Sequence, residues 1–179
     1  MAELTRLGQV LHEEHFRILV SICELQNRVS GKAGGKAFEP GNDDDTEEIN
    51  GLISFLDDVI AHDAFEEDEV FPLIRADGNG LVADQLAEEH MAIEPATHRL
   101  RALAVEILRH GPGEGRWTEF RQVAESLFAQ MLRHLEMEEE LILQRLHHLL
   151  DTATDHRLAL QHLSARPRYA VETGTAAHN

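Results

Sequence analysis

Two spacings in this chain can do chemistry, His62-x-x-x-Glu66 and His134-x-x-x-Glu138. On an α-helix, residues four apart are neighbours on one face, so each imidazole and carboxylate can reach one small object beside its helix. A metal ion fits that donor set. The setting sharpens the point: Leu52, Phe55, Val59, Val70 and Leu73 form an apolar stripe, and at about 100° per residue His62 and Glu66 continue it through the middle. A carboxylate aimed into a core needs a cation or a full set of hydrogen bonds, because an isolated buried charge is strongly disfavoured and shifts its pKa instead. The second pair lies on a similar stripe, Phe120, Leu127, Met131, His134, Glu138, Leu141 and Arg145.

Two single histidines occupy equivalent positions. His15 shares a heptad row with Gly8, Ile22 and Val29, beside Leu4, Leu11, Ile18 and Leu25. His90 sits in the seam Leu86, His90, Ile93, Thr97, Leu100, Ala104 and Ile107. Glu94, one turn after His90 and about 40° towards the flank, is a further candidate ligand. Pro95 follows it, and a proline bend there would open a cavity beside His90. Other features read as ordinary. His12 and His98 are flank histidines, and His12-Glu-Glu-His15 is one residue short of a metalloprotease motif. Asp45 with Glu48 reads as a helix cap, Ala76 to Gly80 as a helix end and turn, and Glu136, Glu139 and Glu140 as solvated face. His147 and His148 suit a helix C-terminus.

Positioning these residues takes four long helices, expected over about 3–29, 46–71, 81–110 and 117–150. The stretch 30–45 and Gly111 to Gly115 read as breaks, and Pro72 as a distortion or end of the second helix. Short connections imply an all-α, up-down-up-down four-helix bundle over residues 1–150; residues 151–179 add a short fifth helix near 155–164 and a loosely ordered tail from Pro167. Counting residues to each turn tests the topology. His15 and His62 come out within roughly 3 Å in height, His62 and His90 within roughly 6 Å, and His90 and His134 within about one residue. All four histidines fall in one layer. Four imidazoles and two carboxylates, three with Glu94, are too many for one tetrahedral zinc but suit two octahedral-preferring ions bridged by carboxylates. Nitrogen and oxygen donors without thiolate point to iron or manganese over copper, and iron is preferred.

The sequence resembles the hemerythrin-like (HHE cation-binding) family over about residues 4–150, at Glu14-His15, His62-x-x-x-Glu66-Glu67 with Phe71-Pro72, Glu89-His90 and His134-x-x-x-Glu138-Glu139. The resemblance implies a four-helix bundle holding a non-haem di-iron centre that binds dioxygen or related ligands. It implies that Glu66 and Glu138 bridge the irons, that His15 and His62 ligate one, and that His90 and His134 ligate the other. Glu94 stands where oxygen carriers of the family have a second histidine, which points away from reversible oxygen carriage and towards redox chemistry or sensing. The ferritin-like di-iron class is disfavoured, since no histidine here has Glu three residues before it.

Composition narrows the function. With 33 acidic against 16 basic residues and a net charge of −17, the chain repels phosphate backbones and anionic membranes, which argues against nucleic acid and membrane partners. Cys23 is the single cysteine, so an internal disulfide or thiolate zinc site cannot form. No apolar run is long enough to span a bilayer and the N-terminus has no apolar leader, so a cytoplasmic protein is expected. The expected function is binding of O2, NO or peroxide at two iron ions (Fe2+/Fe3+) with a bridging oxo or hydroxo, manganese or zinc being substitutes. Peroxide decomposition by a catalase- or peroxidase-like centre is the alternative enzyme reading, with Glu94 assisting proton transfer. An iron- or oxygen-responsive binding module is the alternative non-enzymatic one.

Overall fold

A computed structural model describes residues 4–30 and 35–165. Its elements are α1 (Arg6–Val29), α2 (Asp43–Phe65), a π-helical turn (Glu66–Val70), α3 (Phe71–Ala76), α4 (Gly80–His110), α5 (Glu114–Glu138), a second π-helical turn (Glu139–Leu143), α6 (Leu146–Leu149) and α7 (Thr152–Ala165). Helices α1, α2, α4 and α5 form the bundle, with α2 and α5 on opposite sides of its axis and α1 and α4 each touching both. The expected all-α architecture with an extra C-terminal helix is present. Among the described residues there is no strand, and no helix is long and apolar enough to cross a membrane. The residues expected to form a loose tail lie outside the described ones.

The helix ends differ from expectation for local reasons. Thr5 caps α1, its Oγ1 accepting from the Gly8 N–H at 3.0 Å. Asn42 rather than Asp45 caps α2, accepting from the Asp45 N–H at 3.1 Å. Asp45 is buried in the first turn instead, where Arg28 donates to it at 2.6 Å and the Glu39 N–H at 2.9 Å. Burial works against its ionisation, but the hydrogen bonds from Arg28 and Glu39 outweigh it and lower its pKa. These bonds fold the loop before α2 back over the bundle end, where Phe38 is buried under the Arg28 guanidinium.

The second helix does not stop at Pro72. Its distortion comes earlier, as the π turn over Glu66–Val70, after which α3 carries on to Ala76. Proline lacks an N–H and its ring crowds the carbonyl four residues back; a widened turn ahead of Pro72 accommodates both. The extra residue keeps His62, Glu66 and Val70, spaced by four, buried together. Helix α4 runs through Pro95 without interruption.

Two apolar clusters fill the bundle. The larger includes Ile18, Ile22, Leu56, Val59, Ile93, Leu100, Phe120, Leu127 and Met131. The other includes Leu7, Leu11, Val70, Phe71, Ile74, Leu86, Ile142 and Leu146, and also takes Leu158 and Ala159 from α7. Along every bundle helix the chain passes from one cluster to the other, and the residues at the crossing are His15, His62 with Glu66, His90, and His134 with Glu138. A polar layer is thus sealed between two dry ones.

Candidate metal centre

The sealed layer contains two overlapping groups of donor atoms, each group lying within 4.8 Å. His15, His62, Glu66 and Glu138 make one; His90, His134, Glu66 and Glu138 make the other. The carboxylates are shared, and their oxygens divide between the groups. Glu66 Oε1 is 3.5 Å from His62 Nε2 and 3.9 Å from His15 Nε2, while its Oε2 is 3.7 Å from His90 Nε2. Glu138 does the converse, with Oε2 3.5 Å from His15 Nε2 and Oε1 3.1 Å from His134 Nε2.

This donor set is unsatisfied by the protein itself. All four oxygens of Glu66 and Glu138, and Nε2 of His15 and His62, are buried without a hydrogen-bond partner among the described residues. Such groups are rare in folded proteins, since each forfeits its hydration for nothing. Burial, followed by repulsion from Glu138, raises the Glu66 pKa well above the ordinary carboxylate range; burial also raises Glu138, opposed by the facing Glu66 carboxyl, with Asp63, Glu89 and Glu139 adding repulsion. Burial lowers His15 to about 4 and His90 to about 3, so both are neutral and have a lone pair to give. His90 and His134 bring their Nε2 atoms to 2.8 Å. At that distance either one Nε2 carries a hydrogen for the other or a cation lies between two lone pairs, and the residues present fit a cation.

Each ring is aimed from behind by a carboxylate on another helix. His62 Nδ1 pairs with Glu14 at 3.0 Å, His15 with Glu139 at 2.8 Å, His90 with Glu67 at 3.0 Å and His134 with Glu89 at 3.0 Å. With Nδ1–H donated outward, Nε2 is left as an inward lone pair, the arrangement that orients metal-binding histidines. Each outer carboxylate is the chain neighbour of an inward residue: Glu14 of His15, Glu67 of Glu66, Glu89 of His90, Glu139 of Glu138. Adjacent residues on a helix point about 100° apart, so one faces the layer while its neighbour meets the next helix.

Glu139 is therefore no solvated-face residue. Burial alone would raise its pKa, but hydrogen bonds from His15 and His12 outweigh that and lower it. His12, exposed, contributes through Glu139 at 2.9 Å. Glu94 joins neither group: its side chain is 61% exposed and lies 3.5 Å from His98. It stands instead at a cavity of about 90 Å³ lined by Ile60, Asp63, Ala64, Glu67, His90 and Glu94. Asp63, passed over in the sequence, lies 3.9 Å from His90 Nε2, and burial raises its pKa to about 6 against the opposing pull of His62 and His134. Also passed over was His162 on α7, buried and 2.6 Å from Glu14. The stripe Asp155, Leu158, Ala159 and His162, at helical spacing, was the available signal.

Comparison with curated proteins and with solved structures returns no match for this chain. The family model described as Hemerythrin HHE cation binding domain matches residues 6–146. That span takes in α1 to the start of α6 and every residue of the two donor groups, and the chain belongs to the hemerythrin HHE cation-binding family.

Proposed function

We propose that this chain is a non-haem di-iron protein that binds a small ligand, O2, NO or peroxide, in redox handling or sensing. The observation that carries the reading is the set of buried, unpartnered donors, Nε2 of His15 and His62 and the four oxygens of Glu66 and Glu138. His15 and His62 would hold one ion, His90 and His134 the other, and the two carboxylates would span both. Iron suits imidazole and carboxylate donors, with manganese or zinc as substitutes, and when bound supplies a redox-active, ligand-accepting centre.

The protein's own part is positional. Glu14, Glu139, Glu67 and Glu89 hold the four Nδ1–H groups and fix the ring planes. The two apolar clusters exclude water above and below. The cavity of about 90 Å³ reaches His90 from the side and has room for a diatomic or triatomic ligand, so the His90 and His134 half is the one a ligand meets.

Peroxide decomposition at the same centre is favoured by Asp63, in that cavity wall. Its carboxyl, raised to about 6, exchanges its proton near neutral pH within reach of a small molecule beside His90. Optical titration of ferrous-reconstituted protein with NO and with hydrogen peroxide tests both readings. Saturable spectral change with NO supports ligand binding, and oxygen evolution lost in Asp63→Asn supports the enzyme. No spectral response to either, in protein containing two irons, would overturn them.

A further inference from the structure

Three of the four carboxylates behind the histidines meet solvent, Glu89 being 16%, Glu139 31% and Glu67 48% exposed, whereas Glu14 is 5% exposed. The difference is α7, which lies beyond the residues matched by the family model and closes over Glu14. It is fastened along its length. Asp155 accepts from the Arg6 and Leu7 N–H groups at 2.9 and 2.8 Å, satisfying the open end of α1. Leu158 and Ala159 enter the smaller apolar cluster. Gln161 donates to Glu69 at 2.7 Å, and His162 lays its ring against Phe65, with centroids 4.1 Å apart.

His162 Nε2 then reaches Glu14 Oε2 at 2.6 Å, and that same oxygen faces His62 Nδ1 at 3.0 Å. A buried carboxylate needs donors on it, and here two rings supply them. With one oxygen held by His162, the carboxylate cannot swing away, and His62 meets a fixed acceptor. Glu14, His62 and His162 also lie close enough to be read as three ligands of a further ion. The 2.6 and 3.0 Å separations are hydrogen-bond lengths, however, and such an ion would require His62 to bare both nitrogens.

We propose that His162 is a positioning residue: through Glu14 it fixes His62 as the Nδ1–H tautomer with Nε2 facing the centre, and so makes retention of the metal between His15 and His62 depend on α7. This rests on the di-metal reading for its metal arm only.

The test uses the full chain and the variants His162→Ala, His162→Gln and Gln161→Ala. In metal-free protein, long-range proton–nitrogen spectra of the histidine rings are expected to give His62 as the Nδ1–H tautomer in wild type and His162→Gln, whose amide can donate to Glu14, and a tautomer mixture in His162→Ala. After ferrous reconstitution, a chelator is expected to remove one of two metals about 10–100-fold faster from His162→Ala, the other at the wild-type rate, with Gln restoring retention. Gln161→Ala, which removes one exposed contact of α7 and leaves it held by Asp155, Leu158, Ala159 and His162, is expected to match wild type. Circular dichroism and melting curves check that each variant folds. An unchanged His62 tautomer overturns the proposal, as does equal acceleration of both metals, which would mark a merely structural role. A third metal per chain, lost in His162→Ala, would overturn it in favour of ligation. Absence of any metal in wild type would sink the di-metal reading, while the tautomer arm would still decide the role of His162.

Discussion

Glu66 and Glu138 stand on opposite helices of the bundle, and each turns one oxygen to each pair of histidines: Glu66 to His62 at 3.5 Å and His90 at 3.7 Å, Glu138 to His15 at 3.5 Å and His134 at 3.1 Å. Such an arrangement offers one oxygen of each carboxylate to each pair of histidines. Without cations it is a liability, because two buried carboxyls confront one another with no partner but each other among the described residues.

That liability can be measured. Glu138→Met replaces a buried, unpartnered carboxyl with an apolar chain of similar volume, so the metal-free protein is expected to become more stable by about 1–4 kcal/mol, raising its melting temperature by several degrees. The same variant is expected to lose metal binding. Thermal melts in chelator check the first part and metal analysis the second; a less stable metal-free variant would mean that Glu138 is a satisfied core group.

The outer carboxylates are expected to matter in order of burial. Removing Glu14, 5% exposed, should weaken metal binding most, and removing Glu67, 48% exposed, should weaken it least, since water replaces an exposed acceptor readily. The larger effects are expected at about 10–100-fold in affinity. Competition titrations of the four alanine variants give the ranking, and equal effects would contradict it.

The metal-free protein is expected to lose stability between pH 6.5 and 8. Glu138 keeps its proton to about 8 in the folded state, with Glu66 also raised well above its ordinary value, whereas both ionise near 4.5 when unfolded. The folded state therefore holds extra protons, and the contribution of these groups, complete below 4.5, declines as pH rises through the folded value. His15 and His162, lowered to about 4, and His90, to about 3, act oppositely: their contribution is complete above 6.5 and lost as pH falls. Each carboxyl titrating above that point takes away about 1.4 kcal/mol per pH unit. Denaturation curves in chelator should show the decline, and metal loading should abolish it. A flat metal-free profile would contradict the raised carboxyls.

Glu94→Ala is expected to leave metal content unchanged, since that side chain is 61% exposed and paired with His98. Its place on the cavity rim makes ligand entry the property to watch. Stopped-flow mixing of NO with reconstituted protein reads that rate, and loss of one metal in the variant would restore Glu94 as a ligand.

How much of this was legible depended on which physical rule each residue obeyed. The four inward histidines, Glu66 and Glu138 interrupt apolar stripes at helical spacing, and burial is what such periodicity reports. The bundle followed from short connections between long helices. The outer carboxylates obey no stripe: Glu139, half-buried, turns towards the neighbouring helix, where His12 and His15 meet it, and helix-to-helix contacts are invisible along a single chain. Asp63 failed for the same reason, lying one residue off the seam yet turned towards His90. The π turns at Glu66 and Glu139 escaped because propensity does not encode a one-residue insertion, although Pro72 signalled the first. Glu94 lies apart from the two donor groups because position on a helix gives a direction, not a distance, and the flank it faces opens to solvent.

The measurement that bears most directly on the centre is the number of metal ions per folded chain after anaerobic ferrous reconstitution, in wild type, Glu66→Ala and Glu138→Ala. Two irons in wild type and loss of both in either variant is the expected result, because each carboxylate faces both histidine pairs. Wild-type protein that stays folded and binds none, or variants that each keep two, would contradict a carboxylate-bridged di-metal centre.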